Sequence, residues 1–326
     1  MIDSEEQLEN LLSEPSELDR AAMEALHGDL LVLGAAGKMG PSLVRRAQRA
    51  APGKRVIAVA RSPIPGVETL CADLLDRNQV AALPDIANIV YMVGRKFGSA
   101  SNEPLTWATN TLAAAYVAER FPSSRIVAFS TGNVYPFVPV ASAGATEDTP
   151  PAPVGEYAQS ALARERLFEY FSARNGSPMT ILRLNYAIDL RYGVLLDIAQ
   201  KVFERRPIDL TMGHVNVIWQ GDANSACLRA FALCESPPRI LNLTGPETLS
   251  VRAIANAFGE RLGAAPIFEG AESDTALLSN AAALHRLLGP PRFTVADMID
   301  MVAHWVQAGR PTWSKPTHFE VRSGRF

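Results

Sequence analysis

The 326-residue sequence predicts an α/β fold, a doubly wound parallel sheet with a smaller C-terminal α/β lobe. Three observations carry the prediction. An apolar run, Leu30 to Leu33, leads straight into glycines at 34, 37 and 40 and then into a helical pattern. A second apolar run at 54–60 completes a strand–helix–strand unit of about 30 residues. Strand-like segments then alternate with helical patterns as far as Leu184, as a parallel sheet covered on both faces requires.

Taken in order, residues 5–27 carry Leu8, Leu11 and Leu12 ahead of Pro15, and Ser16 stands where it can cap a helix bearing Leu18, Ala22, Met23 and Leu26. This segment is expected to pack on the core or on a partner subunit. The first strand ends at a turn where Gly34 takes the positive φ that other residues resist, and Gly37 lets the backbone approach a phosphate closely. Gly40 lets the next helix pack against the strand. That helix is predicted from near Lys38, through Met39, to about residue 51, with its unpaired N–H groups aimed at a pyrophosphate. The βαβ context turns a weak glycine motif into a dinucleotide-binding one and makes the fold Rossmann-type.

Further strands are predicted at 69–72, 88–93, 125–130 and 179–184, and helices at about 76–82, 104–120 and 157–173. Residues 134–155, with Pro136, Pro139, Pro150, Pro151 and Pro153, read as a connection placed to cover substrate. Beyond Leu184 helices are predicted at 193–205, 221–234, 250–262, 279–288 and 295–307, with short strands at 215–219 and 239–243. The expected organisation is an N-terminal helical extension (1–28), a dinucleotide-binding domain (29–185), a mainly substrate-binding lobe with elements returning to the core (186–310), and an arm (311–326). The arm, Lys315 to Arg322, either packs back or reaches a second subunit, so a homodimer is compatible with it.

A net charge of −3 argues against a general nucleic-acid or anionic-membrane binder. The acidic start, Met1 to Glu6, lacks the order of a signal peptide, and no apolar run is long enough to span a membrane, so the expected location is cytoplasmic. Cys71, Cys227 and Cys234 are odd in number and read as buried free thiols. The five histidines, at 27, 214, 285, 304 and 318, have no ligand spacing, and no metal site is expected.

Arg61 follows the second strand where an acidic residue would hold the ribose hydroxyls of NAD; an arginine there suits the 2′-phosphate of NADP. The alternative is a solvated arginine opening the Ser62-Pro63 turn, with NAD as cofactor. Asp73, followed by Leu74, stands either to accept from the adenine amino group or to cap the next helix.

Four further motifs give the sequence a family resemblance. They are Ser130-Thr131-Gly132-Asn133-Val134-Tyr135-Pro136, Asn110 within Trp107-Ala108-Thr109-Asn110, Trp219-Gln220-Gly221-Asp222-Ala223, and Asn242-Leu243-Thr244-Gly245 followed by Leu249-Ser250. With the glycine turn, they make the chain resemble the extended short-chain dehydrogenase/reductase superfamily, in its sugar-nucleotide epimerase and dehydratase branch. The resemblance implies that Thr131 hydrogen-bonds the reacting oxygen with Ser130 in support. It also implies that Lys38, Met39, Leu74, Val93 and Asn110 join Gly34, Gly37, Gly40, Arg61, Asp73 and Ser130 around the cofactor.

The departure is at the acid–base site. Family members carry a tyrosine and, four residues on, a lysine; Tyr157 is present and Ala161 stands at the lysine position. That lysine holds the nicotinamide ribose and lowers the tyrosine pKa in the family. A free tyrosine of pKa about 10 is ionised in only about one molecule in a thousand at pH 7, equivalent to ~4 kcal/mol against a phenolate base. Three readings stand open: Tyr157 acts as a general acid in its protonated form; another cation, Arg164 or Arg95 with Lys96, replaces the lysine; or catalysis is lost. Arg183 reads as structural, and Tyr186, Arg191, Arg205 and Arg206 are weaker candidates for substrate anions. The function expected is an NAD(P)-dependent oxidoreductase or epimerase acting on a hydroxyl or keto group of a sugar-like small molecule. The alternative is a non-catalytic NADP(H)-binding sensor.

Overall fold

The computed structural model describes residues 1–96, 98–99 and 101–325. Seven parallel strands form the central sheet: β1 (Leu30–Leu33), β2 (Val56–Ala60), β3 (Thr69–Cys71), β4 (Asn88–Tyr91), β5 (Arg125–Thr131), β6 (Met179–Leu184) and β7 (Arg239–Leu243). Their spatial order is β3-β2-β1-β4-β5-β6-β7. The order reverses between β1 and β4, whose partners run Leu30↔Asn88 to Leu33↔Tyr91. In an open α/β sheet such a switch point leaves a crevice beyond the strand ends.

Strand alternation sorts the core into two layers. Leu30 and Val32 face Leu43, Val44 and Ala47 of the helix Gly40–Ala50 and Leu228 of the helix Gln220–Arg229. Leu31 and Leu33 face Ala114, Val117 and Phe168 on the other side, where Tyr91 and Phe168 meet edge to face at 5.1 Å. Each fully buried leucine or phenylalanine of this kind contributes roughly 1.5–3 kcal/mol.

The C-terminal lobe gathers the helices Val194–Phe203, Val251–Leu262 and Val295–Gln307 around Leu195, Ile198, Phe258, Val302 and Trp305. A parallel ribbon, Pro207–Asp209 with Ile267–Glu269, flanks them. Both termini pack onto this body. Leu8 and Leu12 of the helix Glu5–Leu12 enter the lobe core. The helix Glu17–Ala25, closed by a Ser16–Asp19 capping box, sends Met23 into the sheet layer. Asp19 also pairs with buried Arg46 at 2.9 Å and accepts from Ser225 Oγ at 2.5 Å, which ties the extension to two core helices.

Most predicted elements occur within two or three residues of their expected ends. The long helix at 104–120 is interrupted by a π turn at Ala108–Leu112, and the 221–234 helix ends at Arg229 and continues as a 3₁₀ turn. The thiols differ from expectation: Cys227 is buried, Cys234 half-buried and Cys71 exposed, because β3 is the edge strand. Among the described residues, no helix is long and apolar enough to cross a membrane.

Candidate active site

The ends of β1, β4, β5 and β6 open onto one cavity of about 380 Å³ between the sheet and the lobe. Its first wall is the glycine turn. Gly34 has φ +80°, and its N–H, with that of Ala35, donates to Val59 O at 3.0 and 3.1 Å, fastening the turn to the end of β2. Two further bonds, Gly37 N to Gly34 O and Gly40 N to Gly37 O, carry the chain into the helix, which therefore starts at Gly40 rather than near Lys38. A side chain at Gly40 would collide with the Ala35 carbonyl. One at Gly37 would touch only Gly34 O, at 3.4 Å. Gly37 therefore relieves no clash of the fold; it leaves open space over an uncapped helix N-terminus, which suits a phosphate.

Gly34, Gly37, Lys38, Met39, Val93, Ser130, Thr131 and Tyr157 all line the cavity. Arg61, Asp73 and Leu74 lie at the β2–β3 side of the sheet, away from it. Arg61 is the first residue past β2 and is exposed. Asp73 is also exposed and forms a turn of its own, accepting from Leu75 N at 3.0 Å, while Asp76 caps the next helix. Leu74 is buried in the sheet layer.

Asn110 sits behind the cavity in the π turn, a distortion common at functional sites. Its side chain accepts from Arg95 N at 2.8 Å and donates to Ser160 Oγ at 2.8 Å, joining the loop after β4 to the helix Gly155–Asn175. On that helix Tyr157, Ser160 and Arg164 follow at spacings of three and four, so they share a face. Ala161, four residues after Tyr157, is fully buried in a cluster with Val134, Tyr135 and Ala145. Arg164 reaches back along the helix, donates to Val93 O at 3.0 Å and lines the cavity. Lys96 also lines it, whereas Arg95 turns along its own loop to Gly98 O at 3.3 Å.

Thr131 ends β5, and its Oγ1 accepts from the backbone N and side-chain Nδ2 of Asn133 at 3.2 and 3.0 Å. Ser130 donates its hydroxyl to Glu165. Glu165 is gripped by Arg183 at 2.7 Å; Arg183 donates to Tyr135 OH at 2.8 Å, and Tyr135 donates to Asn242 Oδ1 at 2.9 Å. This buried chain crosses β5, the long helix, β6 and the start of the loop at Tyr135, so Arg183 is structural and Ser130 is its link to the cavity.

The lobe supplies the opposite wall. Tyr186 has φ +47°, a strained conformation for a bulky residue, and lines the cavity with Tyr192. The Lys38 ammonium lies 2.9 Å from the Tyr192 ring centroid. Burial, with repulsion from Lys96 and Lys315, brings the Lys38 pKa down to about 7. Burial likewise lowers Lys96 to about 8, against the pull of Asp197 and Glu320. Arg191 is committed to Asp189 at 2.9 Å and Glu9 at 2.7 Å, and Arg205 and Arg206 are exposed outside the cavity. Of the four weaker candidates, only Tyr186 reaches the site.

Thr317 of the arm completes the wall, a position that motif spacing does not mark. The arm packs back: Thr317 bonds Asp197 through N and Oγ1 at 2.7 and 2.5 Å, Phe319 is buried in the lobe, and Arg322 donates to Thr275 O at 2.8 Å. Gly324 lies so close to Gly155, at the start of the Tyr157 helix, that a side chain on either would strike the other strand of backbone. Gln220, Asn185 and Gly193 are further cavity residues whose roles depend on folding of the lobe rather than on local pattern.

The fold is that of several solved enzymes. MoeE5 in complex with UDP-glucose and NAD superposes with a TM-score of 0.72 at 21% identity, covering 86% of this chain and 99% of its own. Thermus thermophilus UDP-glucose 4-epimerase in complex with NAD gives 0.69 at 21%, covering 86% and 99%. The dTDP-glucose 4,6-dehydratase DesIV from Streptomyces venezuelae gives 0.72 at 19%, covering 86% and 97%. No curated protein matches the chain significantly. The NAD dependent epimerase/dehydratase family model matches from the first strand to the turn after β6. Over residues 30–188 the chain is thus similar to the NAD dependent epimerase/dehydratase family.

Proposed function

We propose that the protein is an NAD(P)-dependent oxidoreductase or epimerase acting on a hydroxyl or keto group of a sugar-like small molecule. The observation that carries this reading is that Tyr157, Thr131 and the glycine turn share one cavity with Arg164, a cation from the same helix that lacks the family lysine. A bound nicotinamide would supply or accept the hydride. Gly34, Gly37, Met39 and the start of the helix at Gly40 would seat its diphosphate. Arg61 at the end of β2 suits a 2′-phosphate, which favours NADP over NAD.

Thr131, with Oγ1 held by Asn133, orients the reacting oxygen. Tyr157 exchanges the proton at that oxygen through its phenol. Donating is the easier direction, because it uses the phenol in its protonated form; accepting requires a nearby positive charge, and Arg164, which lines the same cavity, is the candidate for it. Asn110 holds the loop after β4 and Ser160 in register with both. Replacement of Tyr157 by phenylalanine is expected to lower turnover at least 100-fold while cofactor affinity stays within about threefold. Unchanged turnover in that variant would remove Tyr157 from the reaction.

A further inference from the structure

The cavity continues past two of its lining residues, Asn133 and Tyr186, into a second space bordered by Phe137 and Val154 of the proline-rich connection and by Leu277 of the lobe. The remaining walls of that space are Val321, Arg322 and Gly324 of the C-terminal arm. About 10 Å³ of it is left open, room for roughly one water molecule. Arg322 bridges the space. Its guanidinium lies 4.1 Å from the Phe137 ring centroid and donates to Thr275 O and Oγ1 at 2.8 and 2.7 Å, so one side chain joins the connection to the lobe.

The arm is a fixed wall rather than a loose end. Phe319 is buried in the lobe core, and Thr317 is held by Asp197 through two bonds and accepts at its carbonyl from the Lys96 ammonium at 3.4 Å. Ser314 and His318, on either side of Thr317, have φ of +50° and +55°. Left-handed backbone at two residues other than glycine persists only where the surrounding contacts hold it. At the far end Gly324 and Gly155 meet with no space for a side chain on either, which seats the arm against the start of the Tyr157 helix. The connection at 134–155, expected to cover substrate, thus shares that task with the arm.

Size follows from this wall. About 380 Å³ stands at the small end of the roughly 300–1,000 Å³ of ligand pockets, and a nicotinamide ring would share it with substrate. A nucleoside diphosphate attached to the substrate needs a further passage, and the one past Tyr186 is stopped by Arg322 and its neighbours.

We propose that the C-terminal arm sets the reach of the substrate: by closing the passage beyond Tyr186 it confines the site to a sugar-sized compound that carries no nucleotide. This rests on the proposed nicotinamide-dependent function and names the substrate class of the same site. Arg322 is then a specificity-determining residue, acting by the space it occupies.

The test is calorimetric titration with UDP-glucose of the protein saturated with NADPH, or with NADH if that is the form it binds. Three forms are compared: the intact chain, full-length Arg322→Ala, and a chain ending at Ser314. The shortened chain is expected to bind UDP-glucose at least tenfold more tightly than the intact one, and Arg322→Ala to shift in the same direction. A gain of binding is not what damage to the fold produces, and cofactor affinity reports that each form is folded. If loss of Phe319 unfolds the shortened chain, Arg322→Ala decides alone, since it frees the passage and leaves Phe319 in the lobe core. UDP-glucose bound equally by the intact chain and the folded variants, or bound by none of them, would overturn the proposal. Failure of the intact protein to bind either cofactor is a different outcome, and it would overturn the underlying function.

Discussion

Replacing Glu165 by leucine removes the centre of the buried chain behind the site. The carboxylate takes bonds from Arg183 Nε at 3.1 Å and Nη2 at 2.7 Å, and from the Ser130 hydroxyl. Arg183 is 2% exposed, so it has no route to water once its partner is gone. Removing one member of a buried pair costs about 3–5 kcal/mol, because the other charge is left uncompensated. Against a total stability of about 5–15 kcal/mol that is a large fraction, and at roughly 2 °C per kcal/mol it lowers Tm by about 6–10 °C. Differential scanning calorimetry of the variant reads the shift. The double variant Glu165→Leu with Arg183→Met should recover at least half of it, since both charges leave together and the volume stays apolar. A Tm drop under 2 °C in the single variant, or no recovery in the double, would refute the view that this chain holds β5 and β6 to the Tyr157 helix.

Two other substitutions separate binding from folding. Gly37→Ala meets only Gly34 O, at 3.4 Å, so it should leave Tm within about 1 °C while weakening cofactor at least tenfold by filling the phosphate space, as read by fluorescence titration. Lys38 sets a pH dependence. Its pKa is lowered from 10.5 to about 7 on folding, so between those values the unfolded chain binds more protons and the stability of the ligand-free protein rises with pH; below about 7 the penalty is fully present. Lys96, lowered to about 8, adds in the same direction. Melting curves from pH 7 to 9.5 should show Lys38→Met stabilised most at the low end, with a flatter profile than the parent; parallel profiles would contradict the assignment.

The central strands were legible because each is a short apolar run bounded by turn residues, and parallel order follows from their alternation with helices. The glycine turn was legible for the same local reason. What escaped was fixed by contacts distant in sequence. The seven-residue spacing already offered Arg164 as a replacement for the cation missing at Ala161, but only the fold shows Arg164 lining the cavity and Ala161 packed with Val134 and Tyr135. Thr317 gives no signal at all, since its place in the wall depends on Asp197, 120 residues earlier. Arg191 looked like a ligand for an anion and is instead consumed by Asp189, Glu9 and the Trp313 ring at 4.8 Å. Ser16 announced its helix cap, yet the Asp19–Arg46 pair that docks the helix required the tertiary fold.

The central claim is that the crevice at the β1–β4 switch point seats a nicotinamide dinucleotide with its adenosine end toward Arg61. Parallel fluorescence titrations of the protein with NADPH and NADH test it most directly. Saturable 1:1 binding is predicted, with NADPH at least tenfold tighter and the preference abolished by Arg61→Ala; absence of saturable binding of either dinucleotide would contradict the account.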